Sequence, residues 1–141
     1  MSKTRIDMLE SLKRITVPVI RTLGFKGSGQ NFHRIRDGHV DLLTFQFSVF
    51  PGRLIAEISY VTAEKKNIAP AQALVPVAKL RVPMAGRRLR LGRGIKNTDP
   101  WFVYCNPMGS DEILESTDSI ATTFSNLIET EGEQWWRMQP H

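Results

Sequence analysis

The dipeptide Asp37-Gly38, set between two alternating apolar and polar runs, constrains this chain more than any other feature. Asp-Gly is a strong signal for a two-residue hairpin turn, whose type I′ form needs positive φ at both positions, which Asp and Gly tolerate and bulky residues do not. The flanking runs, Asn31 to Arg36 and His39 to Phe50, therefore read as antiparallel strands. The turn sets their pairing: Arg36 faces His39, Arg34 faces Asp41, and Phe32 faces Leu43. Pro51-Gly52 marks a second reversal before Leu54 to Val61. On that reading Phe45 faces Ile58, Phe47 faces Ala56 and Val49 faces Leu54. On the other side Gln46 faces Glu57 and Thr44 faces Ser59. One face comes out apolar and the other polar, as an antiparallel sheet covered on one side requires.

Helical patterns bracket this meander. From Arg5 to Leu23 the residues Ile6, Leu9, Leu12, Thr16, Val19, Ile20 and Leu23 recur every three to four positions. Gly24 suits the stop, and Pro18 predicts a kink or short break because it removes a backbone donor. Near the other end Asp111 to Ile128 carries Ile113, Leu114, Thr117, Ile120, Ala121, Phe124, Leu127 and Ile128 at helical spacing. Ser110 is its expected cap, and Asp111 and Glu112 suit its positive end. Gly132 is its expected end, with Trp135-Trp136 beyond.

Between meander and closing helix, Pro70, Pro76 and Pro83 break Glu64 to Gly86 into short pieces. Ala71 to Val75 suits one helical turn opened by Pro70, and the rest reads as an ordered loop or flap. Arg88 to Leu91 and Trp101 to Cys105 are further strand candidates. The order predicts an α+β fold: a twisted antiparallel sheet, a meander of four to five strands, with N-terminal and C-terminal helices packed on one face. At 141 residues, without repeats, the expectation is a single domain over 1–141. One cysteine, no apolar leader and no run of about 20 apolar residues suggest a soluble cytoplasmic protein.

Chemical motifs are scarce. Only three histidines could serve as imidazole bases, there is no Gly-x-Ser-x-Gly elbow, and Cys105 lies in an apolar stretch that suits an inert thiol. His39 and Asp41 share a strand face, yet Arg34 opposite Asp41 would repel a cation, so no metal site is expected. Gly27-Ser28-Gly29 leads into a strand and not into the helix N-terminus that a phosphate loop needs, so no cofactor is expected. Glu57, beside Gln46 on the polar sheet face, is the acid that could serve a ligand.

Charge distribution says more than the net charge of +5. From Lys79 to Lys96 there are seven basic residues and no acid; from Asp111 to Glu133 there are seven acids and no Lys or Arg. The two blocks could attract each other inside the fold. Alternatively Arg87, Arg88, Arg90 and Arg93, with Trp101 and Phe102 shortly after, could anchor a protein interface or clamp phosphates and stack bases. They could equally be a solvated strand edge that deters aggregation. Trp135-Trp136 reads as a lid on the core or, if exposed, as an interface.

Several short pieces in order resemble the bacterial family of domains of unknown function 4304. They are Leu23-Gly24-Phe25-Lys26, Asn31-Phe32-His33-Arg34, Phe45-Gln46, Arg88-Leu89-Arg90-Leu91-Gly92 and Asp99-Pro100-Trp101-Phe102, followed by a closing helix. The resemblance implies a compact α+β domain and no particular activity, hence no catalytic residue. Gln46, Arg90 and Trp101 fall on its recurring pieces and belong to any shared surface. The expected function is non-catalytic protein binding, immunity-like or regulatory, through Arg87, Arg88, Arg90, Arg93, Trp101 and Gln46. A homodimer is a further possible assembly, and no membrane partner is expected. The alternatives are RNA or single-stranded DNA binding through Arg87 to Lys96, and a small-molecule binder or enzyme on the polar sheet face around Gln46 and Glu57.

Overall fold

The computed structural model describes residues 3–92, 101–106 and 112–140. The meander forms as its turns dictate. Asp37 and Gly38 both take positive φ, 52° and 82°, and join β2 (Asn31–Arg36) to β3 (His39–Phe47). Arg36 pairs with His39, Arg34 with Asp41 and Phe32 with Leu43, the register expected from the turn. An additional edge strand, β1 (Lys26–Ser28), pairs with β2.

The β3–β4 register differs from expectation by two residues. β4 spans Arg53–Val61, and Phe45 pairs with Ala56, Phe47 with Leu54, Thr44 with Glu57 and Gln46 with Ile55. The reversal is longer than Pro51-Gly52 alone: the Ser48 amide donates to the Arg53 carbonyl at 3.1 Å and residues 48–52 form the loop. Val49 leaves the sheet and is 95% exposed. A two-residue slip preserves which side chains share a face, so the apolar face survives the error. Gly52 explains the loop's position. Its carbonyl accepts from the Tyr104 and Cys105 amides, and a β-carbon on it would lie 2.4 Å from the Cys105 oxygen. The far edge of β4 pairs with β5 (Arg88–Arg90) along Glu57–Ser59 and with β6 (Phe102–Val103) along Arg53–Leu54. Among the described residues the sheet thus has six strands, ordered β1-β2-β3-β4-β5 with β6 also on β4.

Both long helices cover one face. The first runs as α1 (Lys3–Ser11), a π-helical turn (Leu12–Thr16) and α2 (Val17–Thr22). The expected break takes the form of that wider turn, which directly precedes the segment bearing Pro18. Beyond it, the Gly24 amide donates to the Arg21 carbonyl and the Phe25 amide to the Ile20 carbonyl, a Schellman end. The closing helix starts later than its periodicity suggests. α3 is Thr117–Leu127, capped by Ser116, whose Oγ accepts from the Ser119 amide at 3.0 Å. Ahead of it Ile113 forms a bridge with Cys105, and the Leu114 amide donates to the Tyr104 carbonyl at 3.0 Å. Backbone pairing with the segment just after β6 thus takes both residues out of the helix, and their side chains are exposed. The expected cap Ser110, and Asp111, lie outside the described residues. Gly132 does not end the helix: a second π turn (Ile128–Gly132) leads into α4 (Glu133–Arg137).

Met8, Leu12 and Ile20 from the first helix meet Ile120, Phe124, Ile128 and Trp136 from the second over Phe45, Leu54 and Ile58, with Phe47 partly buried beside them. Phe124 packs between Phe45 and Phe102, ring centres 5.6 and 4.6 Å away. Side chains of this size contribute about 1.5–3 kcal/mol each on full burial. Trp136 seals the end of this core, its indole N–H donating to the Ser59 carbonyl at 2.9 Å. The helices are joined to each other by Ser11 Oγ, 2.7 Å from both Thr117 Oγ1 and Asp118 Oδ1, and by Thr16 Oγ1 on the Ala121 carbonyl.

The second face is not polar throughout. Val40, Leu42 and Val61 emerge there and are buried beneath Ile68, Leu80, Val82 and Ala85 of the proline-rich segment 62–87. Proline spacing permits only 3₁₀ turns, Pro70–Gln72, Val77–Lys79 and Val82–Met84. The segment is nonetheless fastened: Ser59 Oγ donates to the Val82 carbonyl, Asn67 Nδ2 to the Tyr60 carbonyl, and Ile68 bridges Ala85. It is a strap lying across half of the sheet.

Candidate functional site

Where the strap ends, the second sheet face opens. The strand registers align a polar row across four strands: Asn31 beside Thr44, Thr44 beside Glu57, and Glu57 beside Arg90. Thr44 Oγ1 donates to Asn31 Oδ1 at 3.0 Å. Glu57 is 6% exposed because two arginines cover it. Arg90 Nε lies 3.2 Å from one carboxylate oxygen and Arg88 Nη1 lies 3.7 Å from the other. Both arginine side chains remain nearly half exposed.

Next to this row lies a groove of about 360 Å³. Gln30, Asn31, Thr44 and Gln46 form its amide-and-hydroxyl lining, and Arg5 and Arg81 also border it. None of its lining residues is acidic among the described residues. Arg81 belongs to the strap, where it also donates to the Ala78 and Leu80 carbonyls. Arg5 comes from α1 and stacks on Phe47 with its guanidinium carbon 4.5 Å from the ring centre. His33 titrates below its ordinary 6.5, because burial and the charges of Lys26 and Arg81 all disfavour protonation.

The residues singled out in the sequence disperse over this end of the molecule. Gln46 is exposed in the groove, and Arg88 and Arg90 hold Glu57. The prediction that Gln46 faces Glu57 fails by the same two-residue slip, which gives Thr44 that place. Arg87 is exposed at the start of β5, and Arg93 lies outside the described residues, as does the rest of the basic segment to Lys96. Trp101 lies apart from Arg88 and Arg90: it stacks on Arg53, whose guanidinium carbon is 4.8 Å from the indole centre and 5.6 Å from the Phe50 ring. Among the described residues, the acidic helix is met by the first helix and not by the arginines of β5. Asp118 binds Ser11 and Arg14, which hold it below the usual carboxylate range. Glu131 accepts instead from the backbone amide of Gly92.

Sequence reasoning passed over Arg5, Arg81 and Asn31. The hairpin register places Asn31 opposite Thr44 and so carried a signal for it. Nothing local marks Arg5 or Arg81, which reach the groove only through the packing of α1 and the strap.

A second polar arrangement lies inside the covered face. Arg34 is 9% exposed and binds Asp41 Oδ2 at 2.9 Å, Glu133 Oε1 at 2.7 Å and the Leu23 carbonyl at 3.0 Å. Its guanidinium carbon lies 4.5 Å from the Phe25 ring centre and 5.2 Å from that of Trp136. Burial pushes Asp41 above its ordinary 3.8, with Arg34 and Arg36 opposing. The charges of this cluster pair with one another, so it reads as a joint between β2, β3 and α4. The hairpin register exposes the Arg34–Asp41 half of it; Glu133 is far away in sequence.

No described helix is long and apolar enough to cross a membrane, and no cluster of three or more His, Cys, Asp or Glu among the described residues is placed to hold a metal. Cys105 is buried, and burial pushes its neighbour Tyr104 up to about 12. The model of a family described as a domain of unknown function, DUF4304, matches residues 16–138. No curated protein and no solved structure matches the chain.

Proposed function

The chain belongs to the DUF4304 family, and from that premise and the open sheet face we propose a non-catalytic protein-binding domain that takes an extended acidic segment of its partner along the groove. The carrying observation is the row Gln30, Asn31, Thr44 and Gln46 in a groove bordered by Arg5 and Arg81 and, among the described residues, free of acids. Side-chain amides donate to and accept from peptide groups, while guanidinia take carboxylates bidentately. The neighbouring Glu57 does not oppose an acidic ligand, since Arg88 and Arg90 cover it. A stacked single strand of nucleic acid fits less well. The nearby rings of Phe47, Phe50 and Trp101 already lie against Arg5 and Arg53, and base binding relies on such rings.

The test is fluorescence anisotropy with a labelled ten-residue peptide rich in Asp and Glu. Saturable binding that weakens with salt is expected, and Arg81→Glu should weaken it roughly three- to tenfold, one attraction having become a repulsion. A neutral peptide of the same length binding equally well would defeat the reading. So would an oligonucleotide of equal charge that binds more tightly and responds more strongly to Arg81→Glu.

A further inference from the structure

At the opposite end of the sheet, on the helix-covered face, a separate cavity of about 150 Å³ adjoins the Arg34 cluster. Its walls include Arg36, Asp37, His39, Tyr60, Arg137 and Gln139. A space of this size holds about six to eight non-hydrogen atoms, the scale of a benzene-sized guest.

Two guanidinia reach this cavity with capacity to spare. Arg36 gives its Nε to Asp41 at 3.4 Å, and Arg137 gives one Nη to Glu133 at 3.6 Å. Both contacts are long, and the other nitrogens of these two arginines have no partner among the described residues. The buried carboxylates Asp41 and Glu133 thus hold the two arginines in place and share Arg34 between them. An anionic group of a ligand would find two forked donors here.

The cavity also offers acceptors. Gln139 donates its Nε2 to the Trp135 carbonyl at 2.7 Å, which fixes the amide orientation. Its Oε1 is buried and has no partner among the described residues. A buried acceptor without a donor is costly and invites one from a ligand. Asp37, exposed at the turn, adds a carboxylate on the rim. Counting Arg34, Arg36 and Arg137 against Asp37, Asp41 and Glu133, the charges of the described residues at the site cancel. A neutral site with cationic donors and anionic acceptors suits a zwitterion better than a simple anion.

We propose that this cavity binds a small free α-amino acid, its carboxylate on Arg36 and Arg137 and its ammonium facing Asp37 and Gln139 Oε1. Both charges sit on one carbon of such a ligand, and the volume limits its side chain to about two or three atoms. Tyr60 and Trp136 supply the apolar wall beside that side chain.

Two-dimensional NMR of the full chain tests this with glycine, alanine and serine, and with acetate, glycinamide and phosphate as controls. The amino acids should produce saturable shifts at Arg36, His39 and the Gln139 side-chain amide, at least tenfold tighter than any control. Arg137→Gln removes a charge-assisted contact at an exposed position and should weaken amino-acid binding by about tenfold. Asp37→Asn, compatible with the turn's positive φ, should weaken amino-acid binding several-fold and leave acetate unaffected or tighter. Acetate binding as tightly as glycine, phosphate binding more tightly, or no saturable shift with any amino acid would each overturn the proposal. So would amino-acid binding unchanged in both variants. The groove's acidic-peptide reading stands or falls separately, because Arg81→Glu touches nothing here.

Discussion

The two faces of the sheet are both covered, but by covers of different construction. On one face, helices that satisfy their own backbones bring Met8, Leu12, Phe124 and Trp136 onto the strands. On the other, a strap of short 3₁₀ turns brings Leu80 and Val82 onto Val40, Leu42 and Val61, and it stops before the sheet does. A helix can pave a face because its periodicity presents an apolar stripe for several turns. A proline-punctuated strap cannot, so it leaves Thr44, Gln46 and the arginines over Glu57 to solvent and ligands. The same sheet therefore offers a sealed core and a working surface on opposite sides.

The largest expected effect lies on the sealed side. Phe124→Ala should cost about 3–5 kcal/mol in urea unfolding, since its pocket between Phe45 and Phe102 has little room to collapse. Arg34→Met should cost a comparable ~3–5 kcal/mol by leaving two buried carboxylates unmatched. Replacing Arg34, Asp41 and Glu133 together by apolar residues should recover most of that loss. If the triple variant stays as unstable as the single one, the cluster is more than a joint.

On the strap side the same truncation should cost less. Leu80→Ala is expected to cost about 2 kcal/mol, and amide hydrogens of 77–85 should exchange well before those of β4 in hydrogen-exchange measurements. Equal protection on both sides would break the comparison.

Titration separates the faces further. His33 is held below 6.5, so the unfolded chain binds its proton first, and stability contributed by neutral His33 is lost as pH falls through the interval beneath 6.5. The proton it gains there adds charge near the groove, so acidic-peptide affinity should rise over the same interval. In a His33→Gln variant that rise should vanish, as measured by anisotropy across pH.

The smallest effect belongs to Asp118. Its lowered value means a contribution present above 3.8 and lost as pH falls below it. The side chain is 52% exposed and its ion pair is screened by water, so Asp118→Asn should leave the urea midpoint at neutral pH unchanged within error.

Much of this architecture could be read from local chemistry. Asp37-Gly38 determines the β2–β3 register because only one pairing satisfies a two-residue turn. The helix stripes identify the covered face because apolar spacing does not depend on what lies opposite. The errors came where distant partners decide. Pro51-Gly52 looks like a hairpin turn until Gly52 is seen to serve the backbone of residues 104–105. Ile113 and Leu114 fit a helical stripe until Cys105 and Tyr104 take their backbones. At the candidate groove, Gln46 and Asn31 were legible from strand alternation, whereas Arg5 and Arg81 depend on packing that no local pattern encodes.

Each long helix carries a π turn, at Leu12–Thr16 and Ile128–Gly132. A π turn holds one residue more than an α-turn over the same course. Each is, in effect, an insertion that the helix has absorbed without moving its flanking contacts. A relative lacking one residue at either place could keep the whole tertiary arrangement by closing the bulge. When chains of this family are aligned, a single-residue gap therefore belongs inside these helices, at the bulge, and need not be pushed out into the nearest loop.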